Sequence, residues 1–207
     1  MKLTIKTIAG VILALSVIAV CPPSAHGVTI DFEAGLVGNA IGGFYVGLGA
    51  TFANASFVNN YSVAGSSGFQ GLGDITDPSN PPFSPVPSNP IKITFSSPIS
   101  AFSIVACDVG AAGARIDAYD SLVGGLLVGF DQLIGAGAGV GTFTTLAVSS
   151  PSILRIELYQ PVAAPGDGML FDQATFEAVP EPTTTVLLGL GTAALFFRRS
   201  RTRLQTS

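Results

Sequence analysis

Short segments in which apolar and polar residues alternate recur through the middle of the chain, at 91–95, 114–119 and 154–158. Alternation with a period of two places one row of side chains on a buried face and the other row on the opposite face, as in a β-strand. We therefore predict three half-buried strands in these segments.

The same alternation assigns charged and phenolic side chains to the outside of those strands. We expect Arg115, Asp117 and Tyr119 to point outward from one strand. We expect Arg155 and Glu157 to form an exposed pair on another strand.

The remaining middle segments indicate an all-β domain. Residues 102–109 are apolar on both parities, which predicts a central strand covered on both faces. Glycine-rich connections at 110–113 and 135–141 follow the pattern of turns between strands. No long run with a helical period of 3.6 interrupts them, so we predict a β-sandwich and, within that class, a jelly roll.

A proline-rich segment, residues 77–90, separates the first third of this region from the rest. Proline removes a backbone donor, so the segment cannot form a helix or an inner strand. We interpret it as a long surface loop within one domain; an interdomain linker is the alternative.

The N-terminus has the pattern of a secretory signal peptide. Two lysines precede an uncharged apolar run, residues 8–20, and small residues Ala25 and Gly27 place cleavage before Val28. Export through the Sec translocon follows from this pattern. The alternatives are a buried strand or helix of the globular domain and a lipoprotein whose lipidated residue is Cys21.

The C-terminal tail has three parts in order: a Pro-Glu-Pro motif, an uncharged apolar segment at 183–197 that predicts a helix, and an arginine cluster. The residues assigned to the sorting motif are Pro180, Glu181, Pro182, Arg198 and Arg199. The tail resembles the PEP-CTERM sorting signal. That resemblance implies recognition by an exosortase, a membrane-embedded cysteine protease, and display at the cell surface. An ordinary single-pass anchor without processing is the alternative.

Charge and length support the same topology. Arginines prefer the cytoplasmic side of a membrane, so the tail's basic end is expected inside and the region before it outside. The apolar segment 183–197 has 15 residues. As a helix it would measure ~22 Å against a hydrocarbon core of ~30 Å. We expect an inner-membrane anchor that is permanent or transient.

The chain therefore divides into a signal peptide (1–27), a β-sandwich domain (28–178) and a sorting segment (179–207). Within the domain, three basic residues oppose twelve acidic ones, a formal charge of 3 − 12 = −9. Nucleic-acid binding needs a basic footprint, so this balance excludes it. An acidic surface suits solubility or the capture of divalent cations.

Catalysis has few residues to draw on. His26 is the sole histidine and lies in the signal peptide, as does Cys21, so Cys107 has no partner for a disulfide within the mature domain. A Ser-His-Asp or Cys-His mechanism is excluded. We predict no catalytic residues and a protein that is not an enzyme. A hydrolase that uses acids alone, for example Asp117 with Asp120 or Asp167 with Asp172, is the weakest hypothesis.

A second, looser resemblance links scattered positions of the domain to jelly-roll, galactose-binding-like domains. It rests on the Asp31-Phe32-Glu33 segment, on Tyr119-Asp120 and on a last strand that contains Phe171-Asp172. In a regular last strand Asp172 would share the core face with Leu170, Ala174 and Phe176.

A carboxylate on the core face must be paired, hydrogen-bonded or bound to a metal. One hypothesis is that Asp172, with Glu33 or Asp31, binds a structural Ca²⁺, because calcium prefers hard oxygen ligands. The alternative is a bulge that reverses the face and leaves Asp172 solvated or hydrogen-bonded to backbone amides.

Two functions remain open from the sequence. The first is a non-enzymatic surface or extracellular-matrix protein of a biofilm-forming Gram-negative bacterium, sorted by an exosortase. The second is a carbohydrate-binding module in the same place, with extracellular polysaccharide as its partner and calcium as a candidate stabilising ion. Sugar sites rely on stacking aromatics. The chain has no tryptophan, so Tyr45, Tyr61, Tyr119 and Tyr159 are the tyrosines that could stack.

Overall fold

The computed structural model describes residues 27–74, 85–135, 142–162, 164 and 167–179. The predicted signal peptide up to His26 and the sorting segment from Pro180 onward lie outside these residues. So do most of the proline-rich segment and most of the predicted glycine-rich loop at 135–141. Within the described ranges, no helix has the length and apolar character needed to cross a bilayer.

Nine strands form in the described residues, and the single helical element is a short 3-10 turn at Val46–Leu48. The strands are β1 (Gly27–Ile30), β2 (Ala50–Ala53), β3 (Ala55–Asn59), β4 (Gln70–Asp74), β5 (Ile91–Cys107), β6 (Ala114–Tyr119), β7 (Leu127–Leu133), β8 (Phe143–Tyr159) and β9 (Leu170–Ala178).

All pairings between these strands are antiparallel. Their order is β3-β4-β9-β5-β8-β6-β7, with β1 paired to β9 and β2 paired to β5. The first and last strands are neighbours, as predicted: Val28 is paired with Phe176 in the β1–β9 ladder. Residues His26–Val179 form one compact unit.

Strands β5 and β8 are each 17 residues long and change partners along their length. The first part of β5 pairs with β2, whereas the part from residue 99 onward pairs with β9. The register between β5 and β8 shifts between Thr94 and Ala101. Pro98 lies at this break, and Pro151 lies in the facing part of β8. Proline cannot donate a ladder hydrogen bond, so it is tolerated where pairing is interrupted.

These long strands correct the predicted segmentation. Residues 91–95 and 102–109 were expected as two strands, but they belong to one strand with an irregular centre. Likewise 154–158 is the second half of β8. The halves belong to different parts of the folded sheet, which is why the apolar pattern changes within a single strand.

The sheet folds around one hydrophobic core. Ile91, Ile93 and Phe95 are buried there, as the alternation predicted. Large fully buried members from other segments include Phe32, Phe57, Leu72, Phe102, Ile116, Leu146, Ile153 and Phe171. The prediction of an all-β sandwich is confirmed.

Two of the predicted exposures are wrong. Arg155 retains 7% of its accessible surface and Asp117 retains 5%. Both side chains do lie on the outward face of their strands, but neighbouring side chains and the connection between β6 and β7 cover them. Period-two patterns predict the face of a residue correctly here and miss what packs over that face.

Candidate functional site

The connection between β3 and β4, residues 60–69, is the part of the domain to which two of the predicted site residues converge; we call it the clamped loop. Its sequence contains no charged residue. Asn60 closes its base, because the Asn60 N–H donates to the carbonyl oxygen of Phe69 at 3.1 Å. The Asn60 side-chain amide donates to the carbonyl of Ser67 at 2.7 Å.

Glu33 holds one end of the clamped loop. Its Oε1 accepts hydrogen bonds from the backbone N–H groups of Phe69 and Gln70, each at 2.9 Å. In return, the Gln70 side-chain amide donates to the carbonyl oxygen of Glu33 at 3.2 Å. The carboxylate lies directly against Gly68, where an added Cβ would collide with the Glu33 side chain. Gly68 also has a φ of 53°, which favours glycine at this position.

Asp172 holds the other end of the clamped loop from β9. Its Oδ2 accepts from the backbone N–H of Ser67 and, at 3.0 Å, from the Ser67 hydroxyl. Its Oδ1 accepts from the N–H of Gln173 at 2.7 Å. Burial raises the pKa of Asp172, the hydrogen bonds from Ser67 and Gln173 oppose that rise, and the charge of Glu33 adds to it.

A bulge explains why Asp172 faces the clamped loop and not the main core. Gln173 has a positive φ of 50°, and the β5–β9 register shifts between Ser103 and Val105. Phe171 and Ala174 therefore both reach the main core, although they are three residues apart. Asp172 is fully buried, but the strand is irregular and Asp172 does not lie in the main core with Ala174 and Phe176. The structure has the bulge and the backbone-amide hydrogen bonds of the alternative interpretation.

Asp31 does not join this pair at the clamped loop. Its Oδ1 accepts from the N–H of Glu33 at 3.2 Å, which closes a local turn. Its charge and that of Glu33 are felt by the buried Tyr45, whose pKa rises to about 12 through burial and these two charges.

The oxygen atoms near Glu33 are of the hard type that calcium prefers, but too few of them are available to complete its coordination shell. Calcium takes six to eight oxygen ligands. Across the described residues, no three His, Cys, Asp or Glu side chains stand together as a metal-binding group. Backbone amides already use the Oε1 of Glu33 and both oxygens of Asp172. The buried Oε1 of Gln70 accepts no hydrogen bond and is a further hard oxygen nearby.

Aromatic side chains surround the clamped loop and remain exposed. Tyr61 is 51% exposed, Phe69 is 79% exposed, and Phe143, at the start of β8, is 55% exposed. The ring of Phe143 lies over Gly65, because a Cβ at Gly65 would come within 2.5 Å of the Phe143 Cγ atom. The other tyrosines that were considered as sugar platforms are at most partly exposed: Tyr45, Tyr119 and Tyr159.

A second polar region, which we call the charged face, covers the outside of β5, β6, β7 and β8. Arg115 forms an ion pair with Asp117 at 2.8 Å and donates to the Gln132 side chain at 3.0 Å. The hydroxyl of Tyr159 donates to Asp117 at 2.6 Å. Burial, that hydrogen bond and the charge of Asp117 raise the pKa of Tyr159 to about 12. The guanidinium of Arg115 lies 4.6 Å from the ring centre of Phe130.

Arg155 is the most buried cation of the charged face. Its Nη atoms donate to the carbonyl oxygens of Ser121 and Gly124 at 3.0 and 2.9 Å. Its Nε lies 3.1 Å from Glu157 Oε1, close enough for an ion pair, although the geometry gives no hydrogen bond from Nε. Its guanidinium lies 4.2 Å from the ring centre of Tyr119. Arg155 thus joins β8 to the loop that connects β6 and β7.

The remaining side chains that could take part in catalysis, Cys107, Asp120 and Asp167, are buried or bound to backbone amides. Cys107 is buried, and burial with the charges of Asp172 and Asp108 raises its pKa to about 12. Such a thiol is protonated at neutral pH. Asp120 accepts from the N–H of Leu126 at 2.8 Å, and Asp167 accepts from the N–H of Ala112 at 2.7 Å.

An open groove of about 260 Å³ crosses β9, β5 and β8 on their outer face. Small side chains line it, including those of Ser103, Ser149 and Thr175. Its two aromatic lining residues, Phe102 and Phe176, are 2% and 5% exposed and belong to the core. The groove therefore offers hydroxyl groups and no exposed aromatic ring.

The sequence did not predict three residues of this site: Ser67 and Phe69 in the clamped loop, and Phe143 beside it. Ser67 is distant from Asp172 in sequence, and no local pattern links the two. Phe69 and Phe143 are two of fourteen phenylalanines. An apolar pattern assigns most phenylalanines to the core, so it did not single out these two as exposed. The uncharged, glycine-containing composition of residues 60–69 was the one local sign of an unusual loop.

Comparison with protein families identifies the tail. Residues 178–201 match the PEP-CTERM protein-sorting motif. The predicted resemblance is thereby confirmed: the tail carries this sorting motif, which implies export and processing by an exosortase. No curated protein matches the chain significantly.

Comparison with solved structures gives distant likenesses. The K2 cleaved adhesin domain of Lys-gingipain has 9% identity and a TM-score of 0.49, over 73% of this chain and 99% of that one. The K1 adhesin domain from Porphyromonas gingivalis W83 has 9% identity and a TM-score of 0.44, over 74% and 98%. A family 6 carbohydrate-binding module has 15% identity and a TM-score of 0.37, over 73% and 93%.

Proposed function

We propose that the protein is a non-enzymatic component of the cell surface or extracellular matrix of a biofilm-forming Gram-negative bacterium. The sorting motif at residues 178–201 carries this proposal. The Sec translocon exports the chain, the apolar segment 183–197 anchors it in the inner membrane, and an exosortase then processes the tail. Arg198 and Arg199 keep the end of the tail in the cytoplasm during these steps.

The chemistry of the domain supports a non-enzymatic role. His26 is the one histidine of the whole chain and precedes the predicted cleavage site. The thiol of Cys107 is buried. Asp117 is neutralised by Arg115, while Asp172 binds backbone amides. A general acid or nucleophile must reach a substrate, and these groups contact protein atoms instead.

A processing experiment tests the sorting proposal. The full chain would carry one epitope beside Val123, which is 87% exposed, and a second epitope at the C-terminus. With an exosortase present, we expect the two epitopes to separate and the first to reach the cell surface. Deletion of the exosortase, or replacement of Pro180, Glu181 and Pro182 by alanine, should leave both epitopes on one inner-membrane chain. If the two epitopes stay on one inner-membrane chain even with the exosortase present, the ordinary anchor without processing is supported instead.

The second candidate function is binding of extracellular carbohydrate, with calcium as a structural ion. The exposed aromatic side chains of the clamped loop favour it, because sugar rings stack on such surfaces. In this proposal Asp172, with Glu33 or Asp31, would hold the ion together with main-chain carbonyl oxygens, and the carboxylates of Asp172 and Glu33 would have to exchange backbone amides for the ion. Calcium would supply rigidity to the loop and no chemical step.

Calcium addition to the full chain tests the ion separately from the sugar. We expect a higher melting temperature with calcium than with a chelator, and a smaller rise in the Glu33→Gln variant. Equal melting temperatures in calcium and chelator, with no heat in a calorimetric titration, would remove calcium from the proposal. Release of reducing ends from polysaccharide by the purified chain would overturn the non-enzymatic assignment.

A further inference from the structure

The clamped loop contains a local conformation that its sequence should disfavour. Tyr61 and Ser62 have φ values of 50° and 55°, and the N–H of Val63 donates to the carbonyl of Asn60 at 3.0 Å. This is a turn whose two central residues both require positive φ, a position where Asn-Gly is the relaxed choice. A bulky aromatic residue there is an outlier.

Surrounding contacts hold this strained turn in place. The side-chain oxygen of Asn59 accepts from the N–H of Tyr61 at 2.8 Å, and that of Asn60 accepts from the N–H of Ser62 at 2.9 Å. Glu33 and Asp172 then fix the other arm of the loop through Phe69 and Ser67. Backbone strain that is maintained by so many contacts often marks a ligand-binding segment.

Exposed aromatic rings lie around this strained turn. Tyr61 is 51% exposed, and Phe69, whose carbonyl oxygen bonds to Asn60, is 79% exposed. Phe143 approaches the same loop from β8, over Gly65. Burial of Phe69 would favour folding by removing apolar surface from water. The fold instead leaves these rings in solvent on a fixed backbone, which reduces the entropy lost when a ligand binds.

Charge limits the kind of ligand. The clamped loop has no charged residue in a domain whose formal charge is −9. The carboxylates behind it, Glu33 and Asp172, are turned to backbone amides. A polyanion would meet no cation there and would be repelled by the domain as a whole. Asn59 and Ser62, on either side of Tyr61 in the sequence, are exposed and carry neutral hydrogen-bonding groups.

We propose that Tyr61, Phe69 and Phe143 form a stacking site for a neutral polysaccharide on the clamped loop. The inference rests on the second candidate function and assigns it a place and a ligand class. The ring faces pack against the C–H faces of pyranose units, and neutral side chains at the rim bind sugar hydroxyls. Asp172 and Glu33 act as positioning residues, since they hold the loop and face away from the ligand.

Affinity electrophoresis of the full chain tests this site. The protein would be purified in a polyoxyethylene detergent, because sugar-based detergents would compete. Native gels would contain neutral β-glucan, xylan, galactomannan or dextran, and alginate would serve as the anionic polysaccharide. We expect at least one neutral polysaccharide to retard the wild-type chain and alginate to leave it unretarded.

Variants locate the site. Phe69→Ala should weaken binding at least about tenfold, equivalent to about 1.4 kcal/mol. Tyr61→Gly should weaken binding similarly while raising the melting temperature, because glycine accepts positive φ without strain. A simultaneous gain of stability and loss of affinity distinguishes a lost contact from unfolding. Tyr61→Phe should keep binding. Val123→Ser, at an 87% exposed apolar residue of another loop, should change nothing and is the matched control.

Each of the other outcomes would overturn either the carbohydrate-binding function, the location of the site or the expected charge of the ligand. If no neutral polysaccharide retards the wild-type chain, the carbohydrate-binding function itself fails. If the wild-type chain binds but Phe69→Ala and Tyr61→Gly bind equally well, that function stands and the site is wrong. Retardation by alginate alone would overturn the charge argument. If the variants instead abolish self-association in sedimentation experiments, the occupant is a second copy of the chain and the proposal is overturned.

Discussion

Aromatic and charged side chains occur in both the charged face and the clamped loop, but their contacts differ between the two regions. On the charged face, guanidinium groups cover aromatic rings: Arg155 lies over Tyr119 and Arg115 lies over Phe130. At the clamped loop, the carboxylates bind backbone amides and the Ser67 hydroxyl, and Tyr61 and Phe69 are 51% and 79% exposed. The difference shows that an aromatic or charged residue is informative about function only when its contacts are known.

The two regions also differ in how they are stabilised. Ion pairs and cation–π contacts stabilise the charged face. Because each buried charge there has a partner, we expect substitutions at its buried centre to be strongly destabilising. The clamped loop maintains positive φ at non-glycine residues, so some changes there should increase stability. Substitutions with opposite predicted signs can therefore separate the two regions.

The largest expected effect is at Arg155. Arg155→Ala should lower the free energy of unfolding by about 3 kcal/mol, because it removes the nearer ion-pair partner of Glu157 and leaves the carbonyls of Ser121 and Gly124 without their donor. Urea unfolding of the full chain, followed by circular dichroism, measures this. Lys92→Ala is the control, since Lys92 lies 3.9 Å from Glu157 with a side chain that is 42% exposed. A loss at Arg155 no larger than that at Lys92 would contradict the comparison.

A smaller effect is expected at Asp172. Asp172→Asn replaces an acceptor by an amide donor beside the N–H groups of Ser67 and Gln173, which should cost about 2 kcal/mol. Hydrogen exchange should show faster exchange at the Ser67 amide. The exposed Glu177, also on β9, supplies the control Glu177→Gln, for which no change is expected. Unchanged exchange at Ser67 in Asp172→Asn would mean that this carboxylate does not hold the loop.

The clamped loop should gain stability where its strain is relieved. Tyr61→Gly should raise the free energy of unfolding by about 1 kcal/mol, the penalty of positive φ less the entropy cost of glycine. Ala64→Gly in the same loop is the control and should lower stability by about 0.5 kcal/mol, because Ala64 is not among the positive-φ residues. Equal effects of the two substitutions would show that Tyr61 is not strained.

The smallest effect concerns pH. Burial raises the pKa of Asp172 above its ordinary value, so the folded state holds this proton more tightly than the unfolded state. The contribution of Asp172 to stability is therefore greatest below about pH 3.9, the ordinary value for aspartate, and declines as pH rises through the raised pKa. Asp172→Asn should remove this decline in unfolding measured between about pH 3.5 and 6. Parallel pH profiles of variant and wild type would contradict the assignment.

Much of the strand pattern could be predicted from local sequence, whereas the site could not. Ile91, Ile93 and Phe95 repeat with a period of two because a pleated strand does, and they are buried as expected. Asp172 follows the same parity rule until the bulge at Gln173 shifts the register. No local pattern announces that shift, because it arises in the pairing of β9 with β5.

The sequence by itself determined the sorting motif of the tail, the all-β class and the acidic character of the domain. A sorting tail is recognised as a linear segment, and alternation and net charge are properties of the chain before it folds. Only the tertiary structure decided that Arg155 is buried, that Asp172 binds the clamped loop, and that Tyr61 and Phe69 remain exposed. These outcomes depend on contacts between residues as far apart as Ser67 and Asp172, which no sequence period records.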